Sequence, residues 1–431
     1  MLYDIGTTTI GTLFGQVLNF FQEVFFAANF GTTWKADAYV LALTIPTILA
    51  NEFIGGINGV FIPVYMNYRE KFGLVKAKEV FAASVKILIV ITLAVMVLGV
   101  ILSPFITGLI AEKFSNPAKE LTVGLMMLLF ILIILMPLTA LFSNLLNAHN
   151  NFLVPAFGKA IIYAGMIISM SLLTKSISIY SVVLGIITGH LIFLFLQIVS
   201  VKKIYRDTSL LGCVPIFSHP AIREMGVLLL PLLFASVANQ VNILVERSIA
   251  ARFAEGSLAS LNYAIKLTIL PVNLFFSSVM TVLFPALSKY ISAGNTKEVS
   301  SIIKKSLKYL FLILVPLAVI LILFREQIVR IVFERGAFTS LSTKITSTAL
   351  GFYAPGLIGL GGIIILSRVY FALKDTRMLT IIGISIICLN IFSIILLSSI
   401  FGFVGIPLAF SIVSNIHMVI LYIFIKKRIN L

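Results

Sequence analysis

The residues of this chain that could do chemistry are few, and they recur at helical spacing. Gln16, Asn19 and Glu23 follow i, i+3, i+7, with Gln22 beside them. Asn239, Asn242 and Glu246 repeat that spacing, and Arg247 comes next. Asn262, Lys266 and Asn273 follow i, i+4, i+11 inside the apolar run SLNYAIKLTILP. An ammonium group at the centre of a membrane helix costs about 2.5–3.5 kcal/mol, so Lys266 needs a reason to be there. A single Asn or Gln reads as a hydrogen bond across a helix pair. Three stripes with ionisable members read as the lining of a wet cavity. In such a cavity Lys266 would hold an anion, and Glu246, Arg247 and Asn242 would handle a coupling ion or a gate. The plainer alternative is a self-neutralising buried pair, which contributes little once desolvation is counted.

Other polar residues carry less. Glu52 and Lys159 can snorkel from positions near an interface. His190 and His417 are lone histidines on apolar helices and read as packing. Gly55, Gly56 and Gly59, with Asn58 among them, interrupt the second predicted helix. They would allow either a bend or a close helix approach.

The elements that position these residues follow from composition. Of 431 residues, 60% are hydrophobic and 11% charged, against about 25% charged in soluble domains. The chain is therefore an all-α polytopic membrane protein. The net charge of +16 lies mostly in short connections, which points to orientation in the membrane and not to nucleic acid. Two cysteines, Cys213 and Cys388, show neither disulfide nor metal-ligand spacing. The N-terminal MLYDIGTTTIGTLFGQ lacks a basic n-region, so the first apolar segment is expected to be a retained helix.

Apolar runs long enough to span number about twelve, including roughly 36–66, 79–110, 120–147 and 342–373. Arg69, Lys71, Lys76 and Lys78, then Lys202 and Lys203, then Lys426, Lys427 and Arg428 mark one side. Both termini are thus expected in the cytoplasm. Arg325, Arg330, Arg335 and Lys344 crowd a connection on the other side, against the trend. The chain also repeats itself. One ungapped offset places Pro63 on Pro285, Tyr68 on Tyr290, Ser84 on Ser306 and Lys86 on Lys308. The expectation is two parallel six-helix bundles, residues 1–210 and 211–431, around a central cavity. No GxxxxGK[ST] or HExxH occurs, so nucleotide hydrolysis in this chain does not drive its work.

LLNAHNNFLVPAFGKA, LVERSIAARFAEGSLASLNYAIKL, VLFPALSKYISAGN, VFERGAFTS, ALGFYAPGL and YFALKDTRM occur in that order. As a set they resemble the MurJ/MviN family of the multidrug/oligosaccharidyl-lipid/polysaccharide exporter superfamily, densest from Leu244 to Met378. DAYVLALTIP near the start agrees more weakly. The resemblance implies a flippase, not an enzyme, in a bacterial cytoplasmic membrane. It would move lipid II, the undecaprenyl-pyrophosphate-linked peptidoglycan precursor, by rocking two bundles around a cationic cavity. The energy source would be a sodium or proton gradient or the membrane potential, with no bound cofactor. Cell-wall synthesis enzymes would be partners beside the membrane lipids.

The family's arginine in NYAxRL falls on Lys266, its second-helix aspartate on Asp37, and an acidic seventh-helix residue on Glu246. Two first-helix arginines fall instead on neutral Gln16 and Gln22. The family usually has fourteen helices, against about twelve counted here. The resemblance thus implies a cavity lined by Gln16, Asn19, Gln22, Asp37, Asn262 and Lys266. The departures keep open export of another lipid-linked saccharide, for a capsule or exopolysaccharide. A drug or cation antiporter, or a non-transporting scaffold, fits less well.

Overall fold

The computed structural model describes residues 2–205, 219–293, 295–373 and 375–429. The expected division between 210 and 211 lies outside the described residues, and so does the side chain of Asn273. The described residues are helical throughout, with no strand among them. The helices are α1 (Leu2–Phe30), α2 (Trp34–Ile110), α3 (Asn116–Leu129), α4 (Leu132–Ala148), α5 (Leu153–Ile177) and α6 (Tyr180–Ile204). They continue as α7 (Pro220–Ala250), α8 (Ser257–Ser292), α9 (Thr296–Leu323), α10 (Arg325–Phe333) and α11 (Ser340–Tyr353). Last come α12 (Gly356–Ala372), α13 (Thr376–Phe401) and α14 (Gly405–Ile429). Two compact units contain them: Met1–Phe30 with Trp34–Gln240, and Gly31–Thr33 with Val241–Leu431.

Helix α2 is two helices in one. Its 77 residues would extend about 115 Å at 1.5 Å per residue, against a hydrocarbon core of about 30 Å. The chain turns at Gly73, where φ is 80° and ψ 177°. Only glycine adopts that conformation without strain. The second helix is therefore not interrupted at Gly55, Gly56 and Gly59; the interruption is at Gly73, among Arg69, Lys71, Lys76 and Lys78. The segment expected at 120–147 stands as one 33-residue span, Asn116–Ala148, with helical φ and ψ kept through Phe130 and Ile131 between α3 and α4. The one expected at 342–373 is α11 and α12, bent by 46°. The crowded arginines sit on and beside α10, a short helix that no apolar run announced. Arg330 bonds Glu326 at 3.0 Å and lies 3.4 Å from Glu334. Helices α1, α7 and α8, at 29, 31 and 36 residues, are long enough to span as well. Counting α2 as two, α3–α4 as one and α11–α12 as one broken span, six such segments lie in each half among the described residues.

Small residues hold each unit together. In the first, the Gly11 and Gly15 faces of α1 meet Ala156 and Lys159 of α5, and Gly165, Gly185 and Gly189 let α5 approach α6. Lipid is as apolar as a leucine side chain, so helices gain by close backbone approach and not by hiding from solvent. Under the α2 turn, Phe81 meets Phe142 edge-on with ring centroids 5.1 Å apart. The Tyr65 hydroxyl lies 2.7 Å from His149 Nε2 and 2.9 Å from the Tyr205 hydroxyl.

In the second unit, Gly356, Gly359 and Gly362 form a stripe along α12 against Ser411, Ser414, Asn415 and Met418 of α14. The same α14 residues satisfy the α11–α12 break. Ser411 Oγ donates to the carbonyls of Phe352 and Tyr353, Ser414 Oγ to Gly356, and Asn415 Nδ2 to Pro355. Residues 31–33, between α1 and α2, belong to this unit. The Tyr263 hydroxyl donates to Gly31 O at 2.9 Å, and Thr32 Oγ1 meets Ser342 Oγ at 2.7 Å.

Two glycine substitutions separate packing from backbone effects. A Cβ at Gly359 runs into the backbone of Ser414 and Asn415, whereas one at Gly55 meets nothing within 4 Å. Gly359→Leu is expected to lower the melting temperature by several degrees, from an overpacking cost of about 1–3 kcal/mol. Gly55→Ala should leave it unchanged or higher. Equal melting points for the two variants would refute this packing account.

Candidate functional site

Each unit carries its own set of polar residues. In the first, α1 puts Gln16 and Asn19 at half-buried positions, while Gln22 and Glu23 are 4% and 7% exposed. Glu23 lies near enough to Tyr39 and Tyr163 to act on both electrostatically. Asp37 is buried in the first turn of α2, where the positive pole of the helix favours a carboxylate. Farther along, Gln240 Nε2 donates to Glu52 Oε1 at 2.7 Å. That contact occupies Glu52 with an amide at the end of the same unit. Gly55, Gly56 and Gly59 lie on continuous helix, about one to two turns beyond Glu52.

In the second unit α7 and α8 bring the sequence-predicted residues together. Arg247 Nη2 donates to Asn262 Oδ1 at 3.2 Å across the two helices. Lys266 is half-buried and, being i+4 from Asn262, shares its face one turn on. Arg247 also stays near enough to the Glu246 carboxylate to act on it electrostatically. Glu246 Oε1 accepts from the Tyr353 hydroxyl of α11, a long contact at 3.5 Å. Asn242, one turn earlier, accepts from Asn390 Nδ2 of α13 at 2.9 Å. The arrangement is two cations with their carboxylate neighbour directed to a phenol. A guanidinium fork and an ammonium on adjacent helices suit an anion with several oxygens.

Tyr353 and Asn390 were not singled out by sequence reasoning. The tyrosine lies in ALGFYAPGL and has no polar neighbour at helical spacing. Asn390 is a lone amide in an apolar run, a signal too weak without its partner.

Long apolar helices throughout, one span of them broken, define an all-α polytopic membrane fold. Solved structures agree. An inward-facing multidrug resistance MATE family transporter superposes with a TM-score of 0.80 at 13% identity, over 96% of this chain and 94% of its own. At that identity the likeness is one of fold. A structure titled "Lipid II flippase MurJ, inward closed conformation" matches with a TM-score of 0.84 and 27% identity, covering 97% of this chain and 87% of that one.

The sequence comparisons are narrower. The family model "Lipid II flippase MurJ" matches residues 26–431, and the chain belongs to that family. The lipid II flippase MurJ of Burkholderia cenocepacia is 24% identical over 97% of this chain and 82% of its own length. The probable lipid II flippase MurJ of Rhizobium meliloti is 30% identical over 86% and 70%.

The Asn242–Asn390 contact is open to a direct test. Asn390 Oδ1 is buried without a hydrogen-bond partner among the described residues, so its amide group depends on Asn242. Asn242→Ala should cost about 1–2 kcal/mol, read as a lower melting temperature of the purified chain. An unchanged melting temperature would show that the bond contributes nothing.

Proposed function

We propose that this chain translocates lipid II across the bacterial cytoplasmic membrane, from the inner to the outer leaflet, by alternating access. Membership of the flippase family supports the substrate. The position of Lys266 one turn from Asn262, which is itself held by Arg247, carries the mechanism, because it offers a cation to the pyrophosphate. Lys266 takes the role of pyrophosphate ligand, with Asn262, Gln16, Asn19, Gln22 and Asp37 lining the path. Residues 1–210 and 211–431 are the two bundles that rock, and both termini face the cytoplasm. The basic residues around Gly73, at the end of α6 and at the end of α14 support that orientation.

Glu246, Arg247 and Asn242 are assigned to ion coupling or gating. A transmembrane potential supplies about 2.3 kcal/mol per charge per 100 mV, enough to bias a cycle that moves one net charge. Gly55, Gly56 and Gly59 are assigned to bending of the second span during the cycle. They lie in unbroken helix, which fits a bend that is absent in one state and present in another.

Reconstitution with labelled lipid II, scored by exposure of the label in the opposite leaflet, tests the substrate. Lys266→Ala should abolish transfer and fail to rescue a flippase-depleted cell at normal expression, whereas Lys266→Arg should keep both. Full transfer by Lys266→Ala would remove the lysine from the mechanism. Transfer of a capsule-type lipid-linked saccharide but not of lipid II would move the chain to the other substrate class. For the hinge, Gly55→Ala should slow transfer while thermal stability holds; unaltered transfer would dismiss that role.

A further inference from the structure

Tyr370 of α12, Asp375, the first turns of α13 and the last turns of α14 line a cavity of 470 Å³ that the transport reading leaves unused. Among the described residues three cations line it, Arg377, Lys427 and Arg428, against a single carboxylate, Asp375. That carboxylate is engaged on both oxygens. Oδ1 caps α13 by accepting from Met378 N at 3.2 Å. Oδ2 accepts from Arg428 Nη1 at 2.9 Å, with the Asp375 side chain only 12% exposed. Asp375 thus fixes the Arg428 guanidinium without neutralising the rest, and a guanidinium has five donors to offer. Arg428 stays 57% exposed, and Arg377 and Lys427 are exposed too. The 26-residue α13 also points its positive pole into the site.

The cavity is not shaped for a soluble anion. Ile381 and Phe424 line it, and their side chains are 51% and 41% exposed. Each stands one turn from a cation, Ile381 at i+4 from Arg377 and Phe424 at i−4 from Arg428. Ile384, also exposed, continues the α13 strip at i+7. Cations at the helix ends above bare apolar faces match the profile of a lipid with an acidic headgroup. A 25-residue α14 is about 37 Å long, so its last turn reaches the headgroup layer of a 30 Å core.

We infer that this cavity is a binding site for one anionic phospholipid of the leaflet on the basic side. The phosphate sits among Arg377, Lys427 and Arg428, and the acyl chains run along Ile381, Ile384 and Phe424. The site lies within the second unit and is independent of Lys266 and of the transported substrate.

The test is equilibrium binding of fluorescent phosphatidylglycerol to the purified full chain in neutral detergent. Phosphatidylcholine of the same acyl length and inorganic phosphate are the competitors. Phosphatidylglycerol should occupy one tight site that neither competitor displaces. Arg377→Gln with Lys427→Gln leaves the Asp375–Arg428 pair and the α13 cap in place. It should weaken binding about 30-fold, from two juxtamembrane charges. Asp375→Asn keeps a capping oxygen, frees Arg428, and should tighten binding about fivefold. Lys304→Gln with Lys308→Gln removes equal charge from a neighbouring cleft between α9 and α14 and should leave the tight site intact. The inference is overturned if the two double variants behave alike. It is overturned equally if Asp375→Asn has no effect, or if phosphatidylcholine or inorganic phosphate competes.

Discussion

Hydrocarbon offers no hydrogen bonds, and this constraint decides where the chain can depart from a straight helix. An unpaired backbone group in that medium costs several kcal/mol. The α11–α12 break survives because Ser411, Ser414 and Asn415 of α14 take up the carbonyls it frees. The glycine stripe on α12 makes this possible, since those three side chains reach the break only if α14 packs backbone to backbone. The turn at Gly73 needs no such partner, because it lies among charged residues at a helix end. A break inside the membrane requires a dedicated neighbour, whereas one outside requires only a glycine.

The same constraint sorts the polar side chains. Thr44, Ser84, Thr92, Ser103, Thr122 and Thr268 each bond the carbonyl four residues earlier in their own helix. A hydroxyl can satisfy itself in this way and says little about function. An amide or a guanidinium has too many donors for that and must reach another helix. Gln197 reaches Thr139 and Ser143, Asn144 reaches Asn58, and Arg247 reaches Asn262. Some of these bonds only fasten helices together. The Arg247–Asn262 bond differs because a second cation, Lys266, shares its face.

Sequence periodicity was sufficient for the helices and for the faces of the polar stripes, since both depend only on local spacing. Asn262 and Lys266 fall on one face as i, i+4 demands. The breaks were less legible. The Pro355 in FYAPGL hints at the α11–α12 break, but nothing in that run shows that Ser411, Ser414 and Asn415 of α14 hold it. Among the glycines, the run at 55–59 attracts notice by composition. Gly73 matters more to the backbone, because the requirement there is a positive φ and not a small volume. Nor does the sequence reveal that residues 31–33 join the second unit. Their place is set by Tyr263 and Ser342, more than 200 residues along the chain, and pairings at that separation leave no periodic trace.

The lysine at position 266 then has a physical interpretation beside the arginine at 247. Asn262 holds the Arg247 guanidinium by one donor, which orients its planar fork and reduces the entropy lost when an anion binds. Lys266 has a flexible stem and three rotatable donors, so its charge can follow a phosphate that changes position. A second arginine would add a fork but would bind best in one geometry. One fixed cation and one mobile cation on adjacent helices retain an anion through a change of shape better than two fixed ones. Glu246, turned toward Tyr353 on α11, has a phenol for its carboxylate. A guanidinium in a membrane is thus tolerated by a neutral neighbour on the next helix that accepts from it, as the Asn262 amide oxygen does from Arg247.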